Sequence, residues 1–111
     1  MTGEEKKLLK DMEQSALNID VHLEGRRIWE EFLKNITKRR AIERELEIIG
    51  EATNKLLKIN PNLKITSARK IVNLRNRVIH AYDAVDDMLV WKVVIKDIPI
   101  LLFEIELLLQ Q

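Results

Sequence analysis

Hydrophobic residues recur along most of this chain at alternating four- and three-residue steps, the spacing that places side chains on one face of an α-helix. The first stripe predicts a helix from about Glu4 to His22, which Gly25 is suited to end. A shorter amphipathic segment, residues 26–35, follows it. The first stripe consists of Leu8, Met12, Ala16, Ile19 and Leu23.

A longer stripe predicts a second long helix, from a cap at Thr37 to about Ile59, where the Asn-Pro-Asn sequence of residues 60–62 ends it. The apolar face of that helix consists of Ile42, Leu46, Ile49, Thr53 and Leu56. Thr66 or Ser67 can begin the next helix. The buried stripe of this next helix consists of Ile71, Leu74 and Val78.

The last predicted helix is apolar on nearly every side. Asp83 and Asp86 resemble a capping arrangement that opens it, and Pro99 is expected to kink it or mark a restart. A helix that is apolar all round is either central or covered by another chain, so we expect a homodimer or partner interface here. Because strand signals are poor throughout, the pattern predicts an all-α bundle of four or five helices in a single domain, residues 1–111.

Composition narrows the class of protein. Apolar residues make up 46% of the chain and charged residues 33%, with three glycines and two prolines, which is typical of a soluble helical protein. The absence of cysteine excludes disulfides, thiolate nucleophiles and cysteine-ligated zinc. The polar start predicts no signal peptide, and the longest apolar stretch, residues 98–109, is shorter than the roughly 20 residues of a membrane span. We therefore expect a cytoplasmic protein with no membrane association.

A net charge of +1 conceals a strong asymmetry along the chain. Residues 52–82 carry seven basic residues and no acidic residue, whereas residues 83–111 carry six acidic residues against Lys92 and Lys96. The seven basic residues are Lys55, Lys58, Lys64, Arg69, Lys70, Arg75 and Arg77. A patch of one sign is what binding or cleavage of a polyanion needs, although basic residues also commonly form a solvated face.

The candidate chemistry lies at the end of this basic stretch. RNA can be cleaved without a metal or other cofactor when its own 2′-OH attacks the adjacent phosphate. Such a reaction needs a group that moves a proton near neutral pH, which suits His80, and a fixed cation for the phosphorane, which suits Arg75 or Arg77. Asn76 shares a helical face with His80, whereas Arg75 lies about 140° away, a gap that its length and a second copy at a dimer interface would close. Tyr82 follows the expected helix end, and a turn can bring it back towards His80.

Each of these residues also has a structural interpretation. His80 could stabilise the C-terminus of a helix, and Arg75 and Arg77 could be surface charges. Asn76 could be a core amide and Tyr82 a packing residue. His22 has no polar neighbours in the sequence that suggest a site, and we expect it to be structural.

A metal site is a further alternative, because His80, Asp83 and Asp87 fall at positions i, i+3 and i+7. Asp83 fits better with Asp86 as a helix cap, so no metal is expected.

Three segments together resemble one known family. Arg75-Asn76 followed by His80 and Tyr82 matches the R-N-x-x-x-H-x-Y signature of HepT-like toxins, which belong to the HEPN superfamily of all-α ribonucleases. Residues 41–56, AIERELEIIGEATNKL, are similar to the family's long second helix with its I-G-E-A core. Residues 86–99, DDMLVWKVVIKDIP, are similar to its closing helix with a V-W pair and a D-x-P step. The resemblance spans roughly residues 5–108.

This resemblance implies a four-to-five-helix fold and a homodimer whose active site is shared between protomers. It implies metal-independent RNA cleavage by His80 and Arg75, supported by Asn76 and Arg77. It also implies a nucleotidyltransferase antitoxin of the MntA type, which transfers AMP to the motif tyrosine, here Tyr82. Added phosphate would compete with RNA for the arginines, which agrees with the charge reasoning.

The chain departs from the family pattern before the motif. Ser67 and Ala68 stand where a Pro-Trp pair is expected, and Asn73 stands where a glycine is expected. These departures concern the shape of the groove through which RNA enters rather than the catalytic set. The alternative to a ribonuclease is a non-catalytic helical dimer that binds nucleic acid or the nucleotidyltransferase.

Overall fold

The computed structural model describes residues 1–67, 70–74 and 87–111, and this part of the chain is helical with no β-strand. The predicted all-α class is therefore confirmed. Residues 70–74 are also helical. The remaining elements are α1 (Gly3–Leu23), α2 (Trp29–Lys34), α3 (Ile36–Ile59), α4 (Asp87–Lys92), a π-helical turn (Val93–Asp97) and α5 (Ile98–Leu109).

The ends of α1 are fixed by local hydrogen bonds. The Thr2 hydroxyl accepts a hydrogen bond from the Glu5 amide at 3.1 Å, which satisfies one free N–H of the first turn. At the other end the chain enters the left-handed region at Glu24 and Gly25, with φ of 57° and 69°. The Gly25 amide then donates to the Asp20 carbonyl, so α1 ends just before Gly25, as predicted.

The cap of α3 lies two residues before the predicted position. Asn35, not Thr37, caps this helix, because the Asn35 side-chain oxygen accepts a hydrogen bond from the Lys38 amide at 3.0 Å. Thr37 lies inside the first turn instead. The C-terminal end agrees with the prediction, since α3 ends at Ile59 and the Asn60 amide donates to the Leu56 carbonyl.

Helices α1 and α3 pack antiparallel and form the centre of the core. The Thr53 hydroxyl lies 3.9 Å from the sulfur of Met12, and at the opposite end His22 Nε2 lies 2.8 Å from a carboxylate oxygen of Glu45. His22 is thus a structural link, as expected. The five predicted core positions of α3 are all buried.

Helix α4, the π-helical turn and α5 follow one another without a break and are called the C-terminal rod, residues 87–109. The rod packs one face of α5 on α1 and leaves the other face in solvent. The π-helical turn ends at Asp97, two residues before Pro99, which agrees with the predicted irregularity at that proline. Proline cannot donate the hydrogen bond to the carbonyl four residues earlier, and its ring would collide with that carbonyl, so the wider turn relieves the clash. The buried residues of α5 are Ile98, Leu101 and Ile105, and the exposed apolar ones are Ile100, Phe103 and Leu107.

None of the helices in the described ranges combines the length and the apolar character needed to cross a bilayer.

Candidate functional site

The predicted catalytic and modified residues fall outside the described part of the chain. They are Arg75, Asn76, Arg77, His80 and Tyr82. The predicted positions Val78, Asp83 and Asp86 also fall outside it. The structure does describe the two ends of the chain between which these residues lie, namely residues 70–74 and α4, and both ends are held by specific contacts.

A buried carboxylate holds the approach to the motif. The motif is the Arg75–Tyr82 stretch, and the approach is Ser67 together with residues 70–74. Asp97, at the end of the π-helical turn, is only 4% exposed. One of its oxygens accepts a hydrogen bond from the Ser67 hydroxyl at 3.3 Å, and the other lies 3.5 Å from the ammonium of Lys70. Because Ser67 lies eight residues before Arg75, this cluster of three side chains ties the approach to the C-terminal rod. The contact joins residues 30 positions apart in the sequence.

Two further contacts lie next to the helical stretch at residues 70–74. The Ser67 carbonyl accepts a hydrogen bond from the Ile71 amide at 3.0 Å, which is the four-residue spacing of an α-helical hydrogen bond. Thr66 contacts α5 instead, because its backbone amide donates a hydrogen bond to a carboxylate oxygen of Glu104 at 3.1 Å. Ile71 and Leu74 are buried as predicted. The residue immediately before Arg75 is therefore seated in the core.

The start of α4, directly after residue 86, is held from the other side of the molecule. The guanidinium of Arg39 lies 3.8 Å from a carboxylate oxygen of Asp87, and the same guanidinium donates to the Leu33 carbonyl. Trp91 on α4 packs against Phe32 on α2, with ring centroids 5.0 Å apart, and Trp29 completes a three-ring cluster. Aromatic rings at these centroid distances attract one another in preferred orientations, so the cluster helps to hold α4 against α2.

The surface near the approach is polar and basic. The lysines of the basic stretch that the structure describes are all exposed, namely Lys55, Lys58, Lys64 and Lys70. Asn73, at the position where the resemblance leads one to expect glycine, lines a hollow of about 220 Å³ together with Asn54 and Lys58 of α3.

No group of three or more acidic or histidine side chains in the described ranges is arranged to hold a metal ion. Of the three residues at metal-like spacing, Asp87 forms the ion pair with Arg39, whereas His80 and Asp83 lie outside those ranges.

Comparison with known proteins decides the family. The chain matches the family described as Ribonuclease HepT-like over residues 12–108. The chain belongs to this family. The match includes the motif residues Arg75, His80 and Tyr82, the part of α1 from residue 12 onwards, all of α3 and most of the C-terminal rod. The resemblance noted in the sequence is thereby confirmed at the level of the HepT-like family.

Curated relatives agree with this assignment. A Methanocaldococcus jannaschii protein named as a candidate RNase is 39% identical over 83 residues, which are 71% of this chain and 73% of that protein. A candidate RNase of Caldanaerobacter subterraneus subsp. tengcongensis is 33% identical over 84 residues, 75% of each chain. A Thermococcus cleftensis protein named probable ribonuclease HepT is 37% identical over 75 residues, 64% of this chain and 66% of that protein. No solved structure matches the chain.

The structure adds one residue of interest that the sequence did not identify, Asp97. Its sequence signal was the D-x-P step, which could have drawn attention to it as an acid within an apolar helix. The two partners of Asp97 were not evident, because they lie in a different element.

Proposed function

We propose that this HepT-like chain is a metal-independent RNA endonuclease and acts in the cytoplasm as the toxin of a toxin–antitoxin pair. The observation that carries the proposal is the family match over residues 12–108, which contains the complete Arg75-Asn76, His80 and Tyr82 pattern. The names of the relatives, which are RNases or ribonuclease HepT, favour RNA as the substrate class.

The proposed reaction uses the substrate's own nucleophile. The RNA 2′-OH attacks the adjacent phosphorus, the bond to the 5′ oxygen of the next nucleotide breaks, and a 2′,3′-cyclic phosphate forms. His80 acts as general acid or base for the protons that move. Arg75 binds the phosphate and stabilises the extra negative charge of the phosphorane, with Arg77 in support, and Asn76 orients the group.

The contacts at the two ends of the motif segment support this assignment. Reactions that depend on positioned charges need their groups held to a fraction of an ångström. The Ser67–Asp97 hydrogen bond fixes the approach, and the Arg39–Asp87 ion pair fixes the start of α4. The residues on both sides of the segment that holds the proposed catalytic residues are therefore held in place by specific contacts.

We further propose a homodimer with a site shared between protomers. The exposed apolar residues of α5 fall at spacings of three and four, so they form one stripe on its outer face: Ile100, Phe103 and Leu107. A contiguous apolar stripe of this kind is typical of a protein interface. A second copy that covers it would also bring a second Arg75–His80 pair into the same particle.

The proposed partner is a nucleotidyltransferase antitoxin of the MntA type that transfers AMP to Tyr82. The attached phosphodiester would bring negative charge two residues from His80 in the sequence. That charge would compete with RNA phosphate for Arg75 and Arg77, through charge-assisted hydrogen bonds that are strong for arginine.

The decisive experiment compares the two histidines of the chain. Purified protein should cleave single-stranded RNA in the presence of EDTA and leave 2′,3′-cyclic phosphate ends, whereas RNA with 2′-deoxy linkages should resist. His80→Ala should abolish cleavage with an unchanged circular dichroism spectrum. His22→Gln, the matched control at the structural histidine, should retain cleavage because His22 bonds Glu45 at a distance from the motif in the sequence.

Three results would contradict the proposal. The first is a metal requirement, and the second is full activity of His80→Ala. The third is no cleavage by any preparation alongside tight binding of RNA or of the nucleotidyltransferase, which would favour the non-catalytic dimer module instead.

A further inference from the structure

A groove runs along the outer side of the C-terminal rod, beside the helical stretch that precedes the motif. Its volume is about 490 Å³, within the range of roughly 300–1,000 Å³ that is typical of clefts for molecules of nucleotide size. Apolar side chains, including Trp91 and Ile95, form much of its lining, and three lysines line it as well: Lys70, Lys92 and Lys96.

The charge of this groove is unexpected from the sequence. Lys92 and Lys96 are the only basic residues in an otherwise acidic C-terminal stretch, residues 83–111. Both are exposed, and within the ranges that the structure describes neither forms an ion pair. The one acid among the lining residues that the structure describes, Asp97, is buried and lies 3.5 Å from the ammonium of Lys70. Among the described residues, Lys92 and Lys96 are therefore two positive charges of the groove without an ion-pair partner.

The fold brings this pair of lysines to the basic stretch. Lys70 belongs to the seven basic residues of positions 52–82, and it lines the same groove as Lys92 and Lys96. Its side chain is 54% exposed. The basic surface thus continues from the stretch before the motif onto the rod that follows the motif in the chain.

We infer that this groove binds single-stranded RNA that flanks the cleaved linkage, with phosphates on Lys92 and Lys96 and a base against the apolar floor. The inference rests on the proposed ribonuclease function and adds a binding site outside the motif. A positive rim that follows the backbone, combined with an aromatic or apolar surface for the bases, is how proteins hold single strands without sequence preference. Trp91 is suited to such a floor, because its contact with Phe32 at 5.0 Å holds its ring in place.

Charge complementarity favours RNA over a second copy of the chain. A two-fold partner seated on this groove would bring its own Lys92 and Lys96 towards the same pair, and like charges across an interface oppose association. The apolar stripe at Ile100, Phe103 and Leu107 offers a second copy a surface without that repulsion.

The test measures RNA affinity without cleavage. The probe is a fluorescein-labelled, 2′-O-methylated RNA of about 12 nucleotides, which provides nucleotides on both sides of a linkage and cannot be cleaved because its 2′-OH groups are blocked. Fluorescence anisotropy compares the unaltered protein with the Lys92→Ala/Lys96→Ala variant. The matched control is Lys6→Ala/Lys10→Ala, an exposed pair with the same four-residue spacing on α1.

Counterion release sets the expected size of the effect. For a single strand, each phosphate contact contributes about 0.7 to the slope of log affinity against log salt, or roughly fivefold in affinity at 0.1 M salt. The Lys92→Ala/Lys96→Ala variant should therefore bind up to about 25-fold more weakly, with a slope shallower by about 1.4. The control should bind as the unaltered protein does, and Lys92→Arg/Lys96→Arg should restore affinity because it restores both charges.

Cleavage kinetics separate this inference from the proposed function. With a long RNA, the groove variant should show a raised KM and an unchanged kcat, whereas with a dinucleotide substrate, which has no flanking nucleotides to occupy the groove, both should be unchanged. If no preparation cleaves RNA but the groove variant loses affinity selectively, the proposed reaction fails and the groove stands. If RNA is cleaved and the groove variant binds and cleaves like the control, the groove inference fails alone. Loss of the dimer in the groove variant, measured by light scattering, would assign this surface to a protein partner and overturn the inference as well.

Discussion

The buried Asp97 carboxylate provides the sharpest test of how the motif is held. Asp97→Ala removes the acceptor of the Ser67 hydroxyl, which is itself only 8% exposed, and the counter-ion of Lys70. Because the Ser67 carbonyl accepts a hydrogen bond from the Ile71 amide, we expect the variant to loosen residues 70–74 before it loosens the α1–α3 core.

The expected magnitude follows from the burial and distances of the two contacts. A hydrogen bond to a charged acceptor contributes about 1.5–3 kcal/mol, and the Ser67–Asp97 distance of 3.3 Å places this bond towards the lower part of that range. The ion pair with Lys70 contributes less than about 1 kcal/mol, because the lysine is half-exposed. We therefore expect Asp97→Ala to lower the free energy of unfolding by about 1.5–3 kcal/mol. Asp97→Asn keeps an acceptor for Ser67 and should cost less than about 1 kcal/mol.

The assay combines global and local stability. Denaturant unfolding, followed by circular dichroism at one fixed protein concentration, gives the global change without a shift from dimer dissociation. Hydrogen exchange measured by mass spectrometry gives the local change. If residues 70–74 open locally at this cost, their amides should exchange roughly ten- to hundredfold faster, since each 1.4 kcal/mol corresponds to about tenfold.

Two controls protect the interpretation. Asp11→Ala breaks the Lys7–Asp11 ion pair, whose 3.0 Å distance is comparable but whose side chains are 75% and 48% exposed, and it should change stability by less than about 0.5 kcal/mol. In a double-mutant cycle, Ser67→Ala and Asp97→Ala should be non-additive by about 1 kcal/mol. Additive effects, or an Asp97→Ala variant as stable as Asp11→Ala, would refute the conclusion that Asp97 holds Ser67 and residues 70–74.

The remaining predictions concern assembly and regulation. Phe103→Glu/Leu107→Glu should convert a dimer to a folded monomer, because both side chains are exposed in the isolated chain. Light scattering measures the mass of the particle, and circular dichroism shows whether it is folded. The control is Lys6→Glu/Lys10→Glu on α1. A monomeric unaltered protein, or a dimer that survives the Phe103→Glu/Leu107→Glu change, would contradict the proposed interface. Incubation with the cognate nucleotidyltransferase and ATP should add the mass of AMP at Tyr82 and silence cleavage, whereas Tyr82→Phe should stay active and resist silencing. If Tyr82→Phe is neutralised equally, the antitoxin acts by binding alone.

The helices could be predicted from the sequence because their stripes repeat with the helical period. The α3 face from Ile42 to Leu56 is buried as its spacing indicated, and Gly25 ends α1 through a left-handed turn. The cap of α3 was predicted two residues late, at Thr37. Asn35 and Thr37 are both good capping residues, and only the backbone decides which side-chain oxygen reaches a free amide, here that of Lys38.

The site was only partly predictable for a different reason. Residue types and family motifs identify His80 and Arg75 as candidates without any three-dimensional information. The contacts that hold the approach join Ser67 to Asp97 across 30 residues, and the contact at α4 joins Arg39 to Asp87 across an even longer span of the sequence. No local pattern encodes such pairs, because they depend on how α4, the π-helical turn and α5 pack on the rest of the chain.

The π-helical turn connects these observations. Lys92 directly precedes it and Lys96 lies within it. Both lysines are exposed, as are Ile100, Phe103 and Leu107 farther along on α5. One half of this exposed surface is basic and the other is apolar, and binding at the two halves depends on salt to different degrees. Rising salt weakens binding of a polyanion at the basic half, whereas apolar association at the other half does not depend on charge. A dimer held by the apolar half should therefore persist at salt concentrations that release RNA from the groove.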